Sequence, residues 1–205
     1  MFFKHLLVLL LALTFAEAEA YVSQSIIKNV EKKYNKFAEN RFIDMQQRLD
    51  ALKNKSTIIK LNTINTFFNQ VRYKSDMQNY KMSDYWATPW EFLARDAGDC
   101  EDYVIAKFFA LKYLGIDPKK MYFTYVKSTQ FKEAHMVLTY FETPTSEPLI
   151  LDNNNRFVLP ASKRPDLIPI YNFNGDILSK AAKKAHQKTT KKWDDLIQNT
   201  KKGKI

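Results

Sequence analysis

From residue 23 to about residue 52, apolar side chains recur at Ile26, Ile27, Val30, Tyr34, Phe37, Phe42, Met45, Leu49 and Leu52. Three- and four-residue intervals of this kind lay one apolar stripe along a helix, so one or two amphipathic helices are predicted there. A second helical pattern runs over residues 58–73, with Leu61, Ile64, Phe67, Phe68 and Val71 on one side. Residues 74–88 are polar and aromatic without a period, and read as a loop leading into a helix announced by Pro89, Trp90 and Glu91. From Glu101 to Leu114 the residues Val104, Ile105, Phe108, Phe109 and Leu111 span too wide an arc for a surface helix. That segment is expected to be largely buried, with Gly115 as its C-terminal stop.

Beyond Gly115 the period shortens. Residues 121–126, 135–141, 149–152 and 168–173 are short β-branched or aromatic runs divided by turns rich in Pro, Asn and Lys. Helices followed by a meander of strands give an α+β order, which predicts an antiparallel sheet packed on the buried helix.

The first 20 residues change the picture of where this fold works. Lys4, an apolar stretch from Leu6 to Phe15 and small residues at Ala16, Ala18 and Ala20 have the layout of a cleavable signal peptide, which is set apart from the fold. Export to the periplasm is the expectation, with one domain over residues 21–178 and a lysine-rich tail over residues 179–205. That tail holds nine lysines against Asp194 and Asp195, which is +7 of the formal net charge of +10. The basic excess therefore argues for a solvated or fraying terminal helix, with contact to lipid headgroups left open. The body has no comparable charge for binding nucleic acid.

Export also sharpens the reading of Cys100, the single cysteine. A secreted scaffold stapled by disulfides needs cysteines in pairs, so Cys100 is either a buried bystander or a reactive thiol. It stands in ARDAGDCEDYV, among Asp96, Asp99, Glu101 and Asp102, at the head of the buried helix. Asp99 is placed to be the N-cap and Asp102 its partner three residues on, which would put Cys100 at the first helical position. There the helix dipole lowers a thiol pKa and the backbone N–H faces a developing oxyanion, while the four carboxylates oppose a thiolate.

A nucleophilic thiol needs a base. Among three histidines, His5 lies in the signal segment and His186 in the tail, leaving His135 at the start of a strand-like run. Its alternative is an ordinary strand residue. Asp152, at the end of LILD, could orient the imidazole if its strand neighbours that of His135, and could equally be a turn former before Asn153, Asn154 and Asn155. Tyr85, Trp86 and Trp90 either line a cleft or pack in the core. DNNNRF is no EF-hand loop, since Arg156, Phe157 and Lys163 occupy positions that require a ligand, a glycine and a glutamate.

Taken together, GDCEDY, AHMVLTY and LILDN, with KLNTINTFFN, DYWATPWEFL, YFTYVKS, LPASKRPDL and PIYNFNGD, resemble the bacterial transglutaminase-like cysteine proteases over residues 60–176. Within them the resemblance is to the LapG-type periplasmic proteases. It implies a papain/transglutaminase-like α+β core, with Cys100 as nucleophile, His135 as general base and Asp152 as the orienting group. It also implies Ca²⁺ held by Asp99 and Glu101, which would cancel the repulsion around the thiol; Asp102 or Asp96 could add ligands. By the same resemblance the substrate is the N-terminal region of a large surface adhesin, cut to control biofilm attachment. The inhibitor is an inner-membrane cyclic-di-GMP receptor of LapD type. Two other readings stay open: acyl transfer to an amine by the same residues, and a non-catalytic calcium-dependent binding module on the same fold.

Overall fold

In a computed structural model, residues 20–174 and 187–205 are described. The predicted signal segment lies outside them but for Ala20, as do residues 175–186, so the proposed domain boundary at residue 178 does too. Three helices open the fold: α1 (Gln24–Lys33), α2 (Lys36–Leu52) and α3 (Thr57–Phe68). Ser23 and Asn35 start the first two by accepting from Ile26 and Ala38 backbone N–H groups. The second helical pattern ends earlier than predicted, at Phe68, and a two-residue strand, β1 (Arg72–Tyr73), takes its last positions; the stretch read as a plain loop contains one turn of helix, α4 (Asp76–Asn79).

Thr88 and Glu91 close a reciprocal capping box over Pro89, and α5 (Pro89–Arg95) follows. It stops at Asp96, whose φ of 52° turns the chain into β2 (Ala97–Gly98), parallel to β1. Then comes α6 (Cys100–Tyr113), buried along most of its length. Gly115, at φ 83°, makes the stop that the sequence announces.

The strands form one antiparallel sheet: β3 (Met121–Ser128), β4 (Ala134–Tyr140), β5 (Leu149–Leu151), β6 (Leu159–Pro160) and β7 (Leu167–Phe173), in the order β6-β5-β4-β3-β7. Along β4 the side chains alternate. Met136 and Leu138 join the main core with α6, while Val137 joins Val126 and Ile150 on the other face. Because β6 and β7 occupy opposite edges, residues 161–166 must cross that second face to connect them, and Ala161 and Leu167 pack on it. This crossing strap matters for the site below.

The last element, α7 (Gln187–Lys201), departs from the solvated tail that its lysines predict. Trp193 and Leu196 are 2% exposed, and the Trp193 ring lies 5.3–6.0 Å from those of Phe108, Phe109 and Phe123. Trp90, one of the aromatics with two open roles, is buried and donates its Nε1–H to the Thr200 carbonyl at 3.0 Å. It is a docking residue of the core. Trp193→Ala should therefore cost about 3–5 kcal/mol of stability, measured by urea denaturation, whereas removing a frayed tail residue would cost nothing.

Candidate active site

Cys100 is the first residue of α6, partly exposed, in a cleft of about 350 Å³ that it shares with Tyr73, Ser128, Phe131, Glu133, Ala134, His135 and Asn154. The other wall is the start of β4. Leu138 pairs with Leu151 across β4 and β5, so one step beyond the pair Asp152 falls on the same face as Val137 and His135. This diagonal placement brings His135 Nε2 to 2.8 Å from Asp152 Oδ1. The imidazole N–H donates, leaving Nδ1 outside that bond.

Asp152 is 1% exposed and held from several sides. Its Oδ1 also accepts from the Asn154 backbone N–H at 2.9 Å, and Arg164 Nη2 donates to its Oδ2 at 2.6 Å. Burial opposes the ionised form, but these donors and the His135 ring hold the carboxyl well below the usual range. Asp152 is thus both an Asx-type turn former and the partner of His135: the two readings of the sequence coexist in one carboxylate. Asn69 Nδ2 donates to the Asp152 carbonyl at 2.8 Å, and Asn65 donates to those of Asn155 and Arg156, so α3 fixes the loop that follows.

Beneath that loop Lys107 is fully buried, its Nζ donating to Asn65 Oδ1 at 2.8 Å. Burial pushes the ammonium down to about 7, against a favourable field from Asp152. Between that value and its unfolded value, the unfolded chain binds a proton that the folded chain does not, so stability rises with pH across this window. Lys107→Met should flatten the dependence, removing a slope of up to about 1.4 kcal/mol per pH unit above pH 7. Urea midpoints of both proteins at pH 7, 8 and 9 measure the difference.

A family model described as bacterial transglutaminase-like cysteine proteinase matches residues 29–167. The chain belongs to the bacterial transglutaminase-like cysteine proteinases. A solved structure of Legionella pneumophila LapG is 37% identical, with a TM-score of 0.73 over 89% of this chain and 99% of that one. EGTA-treated Legionella pneumophila LapG is 36% identical, with a TM-score of 0.74 over 89% of this chain and 100% of that one. The calcium-bound form is 36% identical, with a TM-score of 0.71 over 87% and 99%. No curated protein matches. The papain/transglutaminase-like α+β fold expected from the sequence is therefore present, and this cysteine proteinase family fixes the general chemistry as that of a cysteine peptidase.

In this proteinase the acidic residues around Cys100 divide into distinct jobs. Asp99 is the N-cap residue, yet its side chain accepts no helix N–H, so the predicted capping box is absent. Asp102 instead turns inward and accepts from the Ala87 backbone N–H at 2.9 Å. Asp96 is drawn off to Arg72, at 3.4 Å, and takes no part. One oxygen each of Asp76, Asp99 and Asp102 is sealed from solvent without a hydrogen-bond partner, and the three carboxylates place oxygens within 4.8 Å of one another. Gly98 permits this closeness, because a Cβ there would stand 2.6 Å from Asp102 Oδ2.

Asp76 is also grouped with Asp84 and Glu101, so the two acidic groups adjoin through it. Burial and mutual repulsion push Asp76 up to about 6, Asp99 up to about 10 and Asp102 well above its ordinary value. Orphaned, crowded oxygens of this kind fit a hard divalent cation. Of the two predicted ligands, Asp99 lies in the first group and Glu101 in the second. Asp76, 23 residues upstream of Asp99 on a single helical turn, escaped notice because nothing in a polar loop marks one aspartate as buried.

Glu101 meanwhile accepts the Cys100 S–H at 3.1 Å. Burial of the thiol, then Glu101 and Asp99, push it well above its ordinary pKa, while the Met136 backbone N–H pulls the other way. The anions that oppose the thiolate are the ones a cation would neutralise.

Proposed function

We propose that this chain is a calcium-dependent cysteine endopeptidase of the periplasm that cleaves the N-terminal region of a large surface adhesin and thereby controls biofilm attachment. The observation that carries the reading is the pairing of His135 with Asp152 at 2.8 Å beside the only cysteine, in one open cleft at the head of a buried helix.

His135 Nδ1 takes the Cys100 proton, and Asp152 holds the imidazolium that results. The thiolate attacks the scissile carbonyl carbon, and the oxyanion is met by the Cys100 backbone N–H at the start of α6. As the C–N bond breaks, His135 returns its proton to the leaving nitrogen. Water then attacks the thioester, His135 removes its proton, and the new carboxylate leaves as the thiol re-forms. Asp99, Glu101, Asp76 and Asp102 are the residues that would hold calcium. Once bound, the ion supplies positive charge beside the thiol and rigidity to its loop.

The signal-peptide layout of residues 1–20 supports the location, while the adhesin substrate and an inner-membrane cyclic-di-GMP receptor of LapD type as inhibitor are what the resemblance of the sequence motifs implies. Incubation of the purified protein with an adhesin N-terminal fragment, with and without EGTA, tests the proposal. Two fragments with a new carboxylate are expected, lost on chelation and restored by Ca²⁺. Incorporation of a labelled amine without fragments would replace hydrolysis by acyl transfer, and binding without either product would leave a non-catalytic module.

A further inference from the structure

The side of Asp152 turned away from His135 is not left to solvent. Arg164 stands there on the strap that crosses the second face of the sheet, 7% exposed, and its Nη2 donates both to Asp152 Oδ2 at 2.6 Å and to Asp166 Oδ2 at 2.8 Å. Its Nε donates to Asp166 Oδ1 at 3.0 Å, so Asp166 grips the guanidinium by two atoms while Asp152 takes one. The strap itself is pinned, since Thr129 N–H donates to the Asp166 carbonyl at 2.8 Å and Arg164 N–H to that of Ala161 at 2.9 Å.

We propose that Arg164 and Asp166 form a positioning pair for the catalytic row: Arg164 turns Asp152 so that Oδ1 meets the His135 ring, and Asp166 keeps Arg164 from cancelling the charge that His135 needs. This rests on the peptidase reading of Cys100, His135 and Asp152.

The charges decide the second half. An Arg164–Asp152 pair alone is neutral and would give an imidazolium on His135 little reason to form. With Asp166 added the group carries one net negative charge, which a protonated His135 neutralises. The same fork orients without discharging. Other groups facing these residues are Lys107, buried below Asp152 on α6, and Tyr73, Cys100 and Glu133 in the cleft with His135. None of them contacts Arg164 in the way Asp166 does. A lysine cannot replace the fork, because one ammonium cannot grip Asp166 at two atoms and still reach Asp152.

Opposite displacements distinguish positioning from mere support. For Arg164→Gln, kcat should fall about a hundredfold, the scale on which a 1 Å misplacement acts, with KM nearly unchanged. The acid limb of its kcat profile should move up by about one pH unit. Asp166→Asn should move that limb down, since Arg164 then acts on Asp152 unopposed. Arg164→Lys should recover folding stability but little of kcat. Imidazole ¹⁵N shifts of His135, followed by NMR titration in the uncleaved protein, should show the same opposite displacements and need no substrate.

If the wild type cleaves nothing, the peptidase reading fails while the NMR titration still tests the pair. Unchanged His135 titration in Arg164→Gln and Asp166→Asn, or displacement of both in one direction, overturns the proposal. Should Arg164→Gln fail to fold, Asp166→Asn carries the test, an unchanged or upward displacement overturning the proposal, as does full recovery of kcat in Arg164→Lys.

Discussion

Replacing Cys100 by alanine is expected to lower peptide hydrolysis to background, a loss of at least about 10³-fold, without unfolding the protein. Cys100 provides the sulfur of the covalent intermediate, and no other thiol exists in the chain to take its place. As a packing element it is minor: it is partly exposed, begins a helix whose burial comes from Val104, Ile105, Phe108 and Leu111, and the hydrogen-bond partners of its side chain are Glu101 and the Met136 backbone N–H. A buried bystander would show the reverse, a loss of stability with activity retained. Parallel measurement of peptide cleavage and thermal midpoint separates the two. Stoichiometric alkylation of wild type by iodoacetamide, checked by mass spectrometry as one adduct on Cys100, should give the same inactive, folded protein.

His135→Ala should match this loss. Asp152→Asn should cost slightly less, because the asparagine still orients the ring while the charge that supports the imidazolium disappears. Asp152 also anchors Arg164 and the Asn154 N–H, so this variant should be visibly less stable than Cys100→Ala.

Much of this arrangement is legible along the chain because it rests on periodicity. The wide apolar arc of residues 101–114 reports a helix covered on both sides, and the antiparallel runs after Gly115 place His135 and Asp152 on adjacent strands. Local signals also hold where the chemistry is local, as with Pro89 at a helix start and Gly115 past a helix end.

What escapes is whatever depends on contacts distant in sequence. Trp193, Leu196 and Ile197 have the spacing of a buried helical face, but the lysines around them suggest solvent, and only the aromatic ends of α6 and β3 reveal where that face goes. Asp76 and Arg164 are further cases. An aspartate in a polar loop and an arginine before a proline look like surface residues, and each is placed by elements that sequence spacing alone does not bring together. The missing Asp99 cap has the same origin: the capping pattern is present, but Asp102 finds the Ala87 N–H instead.

The same buried carboxylates yield the second large effect, an inversion of stability and activity on Asp99→Asn. Without calcium the wild-type protein carries orphaned oxygens on Asp76, Asp99 and Asp102, and Asp99 has its pKa raised to about 10 by burial and by Glu101 and Asp102. A carboxyl whose folded pKa lies above its unfolded value contributes stability only below the unfolded value, and stability falls as pH rises through the interval up to the folded one. At neutral pH the group is a burden. Asparagine is neutral in the unfolded chain as well and needs no proton on folding, so the calcium-free variant should be more stable than calcium-free wild type by about 1–3 kcal/mol. Calcium should then reverse the order. Wild type gains stability with the logarithm of free Ca²⁺, about 2.7 kcal/mol at a hundredfold excess over Kd, while the variant, short of one ligand, stays nearly level. Activity should follow binding: EGTA abolishes cleavage by wild type, and Asp99→Asn remains inactive at Ca²⁺ concentrations that restore it. Thermal melts over a Ca²⁺ titration, run beside the cleavage assay, read both signs at once. A variant less stable than wild type in EGTA would show that Asp99 serves the helix rather than the ion, and a variant that still responds to calcium would move the site to Asp84 and Glu101.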